Sequence, residues 1–283
     1  MANILDDICK RLDGANLLSE EGQVFGYVDS GSYALNKIIS GKYDGGFPIG
    51  GITEIYGESS TAKTVFLTHA FVGAQKKGYY TVMVDNEHAY SPSFANILGV
   101  DSEKLIYTTP ETMEGCFEAI ENSILAIREH DKDTPIVIGY DSIGVSPTRK
   151  EMDGELGANG EISGALRAKV AGQCLRRINP LLVMFGDPRT RAGGGKALLY
   201  YCAVSLETAS AKAGIMFDEL KNPTGIKGTV KCVKNKVTVP YQDCEFKLEY
   251  NKGLSQDYGL TTSAYRNGVV TSPAKGWYSL DDG

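Results

Sequence analysis

Histidine, tryptophan and paired cysteines are scarce in this sequence. Its 283 residues include three histidines and one tryptophan, and the six cysteines (Cys9, Cys116, Cys174, Cys202, Cys232, Cys244) are scattered without CxxC spacing. That distribution excludes a zinc site or a disulfide framework and points to buried, reduced thiols. Long apolar runs are missing too. None approaches the length of a membrane span, and residues 1–13 lack the apolar centre of a signal peptide, so a cytoplasmic protein with no membrane partner is expected. There is also no excess of positive charge: 29 Lys and Arg stand against 35 Asp and Glu, a net −6. Any nucleic-acid surface must therefore be a local basic patch, because the chain as a whole repels phosphate.

The remaining composition, 42% hydrophobic and 23% charged, is that of an ordinary globular protein with room for one α/β core and small appendages. Residues 2–12 place Ile4, Leu5, Ile8 and Leu12 at helical spacing, with acids early and bases late, and predict a short amphipathic helix. The polar, glycine-containing stretch 13–31 reads as a linker, so the helix needs a surface to pack on, and a neighbouring subunit is one candidate. From Gly50 onward, strand-like and helical patterns alternate. Strands are expected at 52–56, 80–85, 105–108 and 135–141, and helices at 63–76, 91–98 and 113–128. The last of these helices carries Phe117, Ile120, Ile124 and Ile127 on one face. Residues 135–141 form a continuous apolar run, as a strand buried on both faces requires. This rhythm predicts an α/β fold with a mostly parallel central sheet flanked by helices. Beyond Leu198 the pattern becomes β-rich, at 199–206, 228–239 and 245–250.

The segment Gly57-Glu58-Ser59-Ser60-Thr61-Ala62-Lys63-Thr64 follows a strand and opens a helix, the context a P-loop needs. Backbone N–H groups at a helix N-terminus suit phosphate oxygens. Lys63 would neutralise the β- and γ-phosphates of ATP, and the Thr64 hydroxyl would ligate Mg²⁺. The usual second glycine is Ala62. If that position has positive φ, alanine costs about 1 kcal/mol or more; if it is helical, alanine is harmless. A polar strand–helix loop without a ligand is the plainer alternative.

Asp141 ends an apolar strand, at the edge where ligands bind parallel sheets, and could hold a water of the Mg²⁺ shell. Taken alone it is equally a turn residue. Glu87 follows another strand and could orient and deprotonate a water attacking the γ-phosphate, or could be a capping or solvated acid.

Together with the P-loop, the segments VDNEHAYSP (84–92), IVIGYDSIG (136–144), GELG (154–157), VMFGDPRTRAGGGKAL (183–198) and VKCVKNK (230–236) occur in the order found in RecA-type recombinases. The resemblance spans most of residues 30–278. It implies a RecA-like P-loop ATPase core over 33–255, an N-terminal oligomerisation arm over 1–32 and a shortened C-terminal segment over 256–283. It also implies an ATP- and Mg²⁺-dependent homo-oligomeric filament on single-stranded DNA that pairs it with homologous duplex DNA. Glu87 resembles the family's catalytic carboxylate, while Lys63, Thr64 and Asp141 match its phosphate and Mg²⁺ residues. Phe94 falls where an aromatic side chain stacks on adenine, with Ser91 in place of the usual acid nearby. Lys234 and Lys236 resemble two lysines that reach a neighbour's γ-phosphate; without the family context they read as a solvated strand edge. Phe185 matches a subunit-contact residue. Two DNA loops are implied. Residues 154–164 form the first, with Arg167, Lys169 and Arg176 on the following helix. Residues 186–195 form the second, with Arg189, Arg191, Gly193 and Gly194. A basic surface without a DNA role is the alternative for both.

The sequence departs from the family in two places. Between Leu182 and Val183, an apolar strand ending in an Asn-Gln switch has no counterpart, whether through a natural deletion, an engineered one or an omitted segment, and losing a central strand would leave buried hydrogen-bonding groups to be satisfied elsewhere. After Gly283 there is no counterpart to the family's duplex-collecting C-terminal domain, so weaker duplex capture is expected. A DNA-dependent ATPase that promotes strand exchange is the leading expectation. The alternatives are an ATP-binding filament or DNA scaffold with weak hydrolysis, and a related ATP-driven motor such as a ring helicase. The Lys234–Lys236 pair and the MFGDP segment argue against the motor.

Overall fold

The structure, a computed structural model, describes residues 2–11, 26–153, 163–184, 201–210, 214–274 and 277–280. The first helix, α1 (Ala2–Arg11), leaves Ile4 and Ile8 exposed. A small hairpin, β1 (Tyr27–Val28) with β2 (Phe47–Pro48), encloses α2 (Tyr33–Ser40). This helix starts on a Ser32 cap and ends on Gly41 at φ 77°, the left-handed stop that glycine allows.

The alternating strand–helix pattern then follows as expected: β3 (Ile52–Gly57), α3 (Lys63–Lys76), β4 (Tyr80–Asp85), α4 (Pro92–Leu98), β5 (Leu105–Thr108), α5 (Met113–His130) and β6 (Ile136–Asp141). A short α6 (Arg149–Met152) follows, then the long α7 (Ser163–Met184). The β-rich remainder comprises β7 (Cys202–Ala209), β8 (Ile215–Phe217), β9 (Pro223–Asn235), β10 (Asp243–Glu249) and β11 (Gly253–Leu254). Helix α8 (Leu260–Arg266) and the hairpin of β12 (Val270–Ala274) with β13 (Trp277–Leu280) close the described chain. Among the described cysteines, Cys116, Cys202, Cys232 and Cys244 are buried free thiols and Cys174 is half-buried.

The fold is mixed α/β, and its sheet, as far as the described residues go, is divided. One half runs β5-β4-β6, all parallel. The other runs β3-β7-β9-β10-β11, with β3 and β7 parallel and the later pairs antiparallel. Among the described residues, no strand pairs with the second edge of β3 or of β6. Burial reflects this break. Strand β4, paired on both sides, is buried from Thr81 to Asp85, whereas β6 and β3 stay largely half-buried or exposed along their lengths. Leu182 and Val183, where the sequence reading placed a missing strand, both lie within α7.

Packing rather than backbone pairing holds the halves together. Helix α3 is apolar nearly all round, as a helix covered on several sides must be. Its Phe66 enters a cluster with Leu35, Ile39, Val204, Leu206 and Phe246 on the β3 side. Its Phe71 joins Met83, Ala95 and Val100 on the β4 side. A Cβ on Gly139 of β6 would come within 2.6 Å of Leu67 and 2.7 Å of Phe71, so this helix lies closer than any side chain would permit. A third cluster packs α5 and α7 on β4 and β6 through Val82, Val84, Phe117, Ile120, Leu175 and Ile178.

Candidate active site

The loop between β3 and α3 is built around conformations that few residues adopt. Gly57 has φ 153°, and a Cβ there would lie 2.2 Å from the Thr208 carbonyl oxygen, so only glycine fits. Ser60 and Ala62 have φ 63° and 68°, in the left-handed region. Ala62 therefore occupies the strained alternative of the two considered above. As N-cap of α3 it offers no side-chain oxygen, which leaves the first-turn N–H groups without a side-chain cap. Thr61 braces the loop: its hydroxyl bonds the Glu58 carbonyl at 2.8 Å and the Thr208 hydroxyl at 2.7 Å. The Lys63 ammonium donates to the carbonyls of Gly57 and Glu58, at 3.0 and 2.6 Å.

The other bank of the site comes from the ends of β4 and β6. The Thr64 hydroxyl donates to Asp141 Oδ2 at 2.6 Å, the one side-chain bond found between the P-loop helix and β6 among the described residues. Burial pushes the Asp141 carboxyl above the usual carboxylate range, and the charges of Glu87 and Asp85 push the same way. The Thr64 hydroxyl and the Lys63 charge oppose them. Glu87 is exposed, and its Oε1 accepts the Ser142 hydroxyl at 2.6 Å. Thr64, at the start of α3, meets Asp141 at the end of β6, and Glu87, just beyond the adjacent parallel strand β4, meets Ser142 beside it; Lys63 precedes Thr64. The donors at the Thr64–Asp141 contact are hard oxygens, and the half-buried carboxylate forms no ion pair among the described residues. That combination fits Mg²⁺, which takes few protein ligands beside substrate phosphates.

Phe94 is half-buried against the cluster that holds Phe66, and Ser91 caps α4 by accepting the Phe94 N–H. Lys234 and Lys236 lie at the other end of β7. Lys234 registers with Ser205, which in turn faces Glu54, and the Lys236 N–H bonds the Ala203 carbonyl. Glu54 precedes Gly57 by three residues, so the pair sits about 10 Å along the strand from the chain's own P-loop. Partial burial lowers the Lys234 ammonium below its ordinary value. On α7, Lys169 and Arg176 are exposed seven residues apart, on one stripe. Arg167 is turned away to Glu151, with both carboxylate oxygens near 3 Å. Phe185, Arg189, Arg191, Gly193 and Gly194, with most of the 154–164 loop, lie outside the described residues.

Three contributors carried no usable sequence signal. Thr208 supports the P-loop across separations of 147 and 152 residues, through the register of β7 on β3. Ser142 was legible only as the neighbour of Asp141. Asp85 ends a strand, and nothing local marks it as the anchor of the following loop.

A phosphate-type loop at a strand–helix junction, faced by carboxylates from neighbouring parallel strands, defines a RecA-like α/β core. Comparison with known proteins gives the same family. The family profile described as RecA N-terminal domain matches residues 14–255. The chain is 34% identical over 272 residues to Protein RecA of Kineococcus radiotolerans, covering 90% of this chain and 73% of that protein. It is 33% identical over 275 residues to Protein RecA of Streptomyces coelicolor, covering 90% and 68%. The chain belongs to the RecA family. It is a RecA-type recombinase, of a nucleotide- and DNA-binding family that acts in recombination and repair.

Proposed function

We propose that this chain is a DNA-dependent ATPase that polymerises on single-stranded DNA and pairs it with homologous duplex. The convergence of Lys63, Thr64, Asp141 and Glu87 carries this reading. The backbone N–H groups of 57–64 bind the triphosphate at the positive end of α3, and Lys63 leaves its own loop carbonyls to meet the β- and γ-phosphates. Thr64 and Asp141 would hold Mg²⁺, which would supply charge neutralisation on the phosphates when bound. Glu87, steadied by Ser142, orients the attacking water and accepts its proton. Phe94 contributes an aromatic face toward the base.

Lys234 and Lys236 lie too far along the sheet to serve the P-loop of their own chain. They reach the γ-phosphate of a neighbour, which couples turnover to assembly. Helix α1, with its exposed Ile4 and Ile8, packs on an adjacent subunit. Lys169 and Arg176, with Arg167 behind them, extend a basic stripe toward DNA phosphates, joined by Arg189 and Arg191 on the glycine-rich loop that holds Gly193 and Gly194. Phe185 is a subunit contact.

The test is ATP turnover with and without single-stranded DNA. Strong stimulation by DNA that disappears in Lys63→Ala supports the reading; full turnover in that variant refutes the site. A second reading, an ATP-binding scaffold with weak hydrolysis, is favoured by the left-handed Ala62 and the divided sheet. DNA binding without turnover would select it.

A further inference from the structure

Asp85, the last residue of β4, is only 1% exposed. A buried carboxylate is costly unless its oxygens are bonded, and here both are engaged by the loop that carries Glu87. Oδ1 accepts the Glu87 N–H at 3.1 Å, and Oδ2 accepts the Tyr90 N–H at 2.9 Å. A third donor comes from another strand: the Tyr107 hydroxyl of β5 donates to Oδ2 at 2.8 Å. The rings of Tyr90 and Tyr107 also stack, with centroids 6.4 Å apart and planes at 29°. Between these anchors His88 is held at φ 54°, a conformation that a free loop would relax. The Glu87 carboxylate itself is exposed and meets Ser142 alone among its described hydrogen-bond partners.

We propose that Tyr107 is a positioning residue for Glu87, acting through Asp85: its hydroxyl fixes the Asp85 carboxylate, and that carboxylate fixes the Glu87 backbone. The aim of Glu87 across to Ser142 and the Asp141 bank is then set from β5, the strand on the far side of β4. Partial burial and the adjacent Asp85 carboxylate push the Tyr107 hydroxyl up to about 12, so it remains a donor throughout the neutral range. The inference rests on the proposed role of Glu87 as the water-orienting base.

The experiment uses the full chain with single-stranded DNA and four proteins: wild type, Tyr107→Phe, Glu87→Gln and the double variant. Glu87→Gln is expected to lower kcat about 100-fold or more. Tyr107→Phe, which keeps the ring and its stacking, is expected to lower kcat about tenfold, with nucleotide Kd and KM within about twofold of wild type. The double variant should be as slow as Glu87→Gln alone, because a residue acting through Glu87 has nothing left to position. A general packing role would instead add a further loss in the double variant, or raise Kd and KM, and either result overturns the inference. So does an unchanged kcat in Tyr107→Phe while Glu87→Gln is inactive. Full turnover in Glu87→Gln would instead sink the catalytic reading beneath it, and the inference with it.

Discussion

Replacing Ala62 by glycine tests the P-loop geometry directly. Alanine at φ 68° bears about 1–2 kcal/mol of left-handed strain. Ala62→Gly removes that strain. It also forfeits a nearly buried methyl, worth about 0.8 kcal/mol, and adds about 0.7 kcal/mol of unfolded-chain entropy. These terms nearly cancel, so Ala62→Gly should lie within about 0.5 kcal/mol of wild type. Ala70 is the internal control, since it is buried in the interior of the same helix. There glycine loses both the methyl and about 1 kcal/mol of helix propensity with no strain to relieve, so Ala70→Gly should cost about 2 kcal/mol. Urea unfolding of the three proteins, with slopes compared to confirm that the same surface is exposed, measures the difference. Should Ala62→Gly prove as destabilising as Ala70→Gly, Ala62 is not left-handed and the strained-loop argument fails.

Three further outcomes are expected. Asp141→Asn should stabilise the nucleotide-free protein at neutral pH while weakening Mg²⁺-dependent nucleotide binding. The raised Asp141 carboxyl contributes stability below its unfolded value of 3.8 and loses it as pH rises through its folded value, so the stability gap between variant and wild type should shrink on acidification through that window. His69 is buried, its Nε2 accepts the Leu254 N–H, and burial pushes it down to about 4. Its neutral form contributes stability that is complete above pH 6.5 and is lost as pH falls toward 4, at most about 3 kcal/mol; His69→Gln should flatten the stability profile in that interval, and an unchanged profile would refute the assignment. Hydrogen exchange should find the β3 and β6 amides that face the break exchanging orders of magnitude faster than those of β4. Uniform protection across the three strands would show the two edges to be paired.

What could be read from the sequence was local. Strand–loop–helix context and the order of the strands put Lys63 and Thr64 at the start of α3, Glu87 just after β4 and Asp141 at the end of β6, where the structure has them, because strand ends follow from apolar runs and turn residues. The extents of α3, β4 and β5 follow from their apolar periods and turn residues. Features that depend on register were invisible. Thr208 meets Gly57 only once β7 is aligned on β3, and Tyr107 reaches Asp85 only because β5 pairs with β4. The backbone conformation of Ala62 was left open for a related reason: a loop's φ is imposed by what packs around it. Ser91 shows the opposite lesson. Its place near a nucleotide base drew attention, yet its local chemistry, a hydroxyl one residue before a proline that opens a helix, is that of a cap.

The break in the sheet and the arrangement of the site bear on one another. Gly57–Thr64 belong to the half-sheet that ends in β3, whereas Glu87 and Asp141 belong to the half built on β4 and β6. In a continuous sheet, backbone hydrogen bonds would hold these banks in register whether or not a ligand was bound. Among the described residues the register depends on α3, whose Gln75 bonds Thr81 and Asp101, on the close approach that Gly139 permits, and on the bond from Thr64 to Asp141. Neither packing nor a few side-chain bonds constrain sliding along a strand as tightly as a ladder does. A triphosphate that contacts both banks binds only when they are aligned, and its binding free energy then adds to the stability of that arrangement. On the proposed function, the nucleotide therefore takes over part of the aligning role of backbone pairing between β3 and β6, which is not found among the described residues.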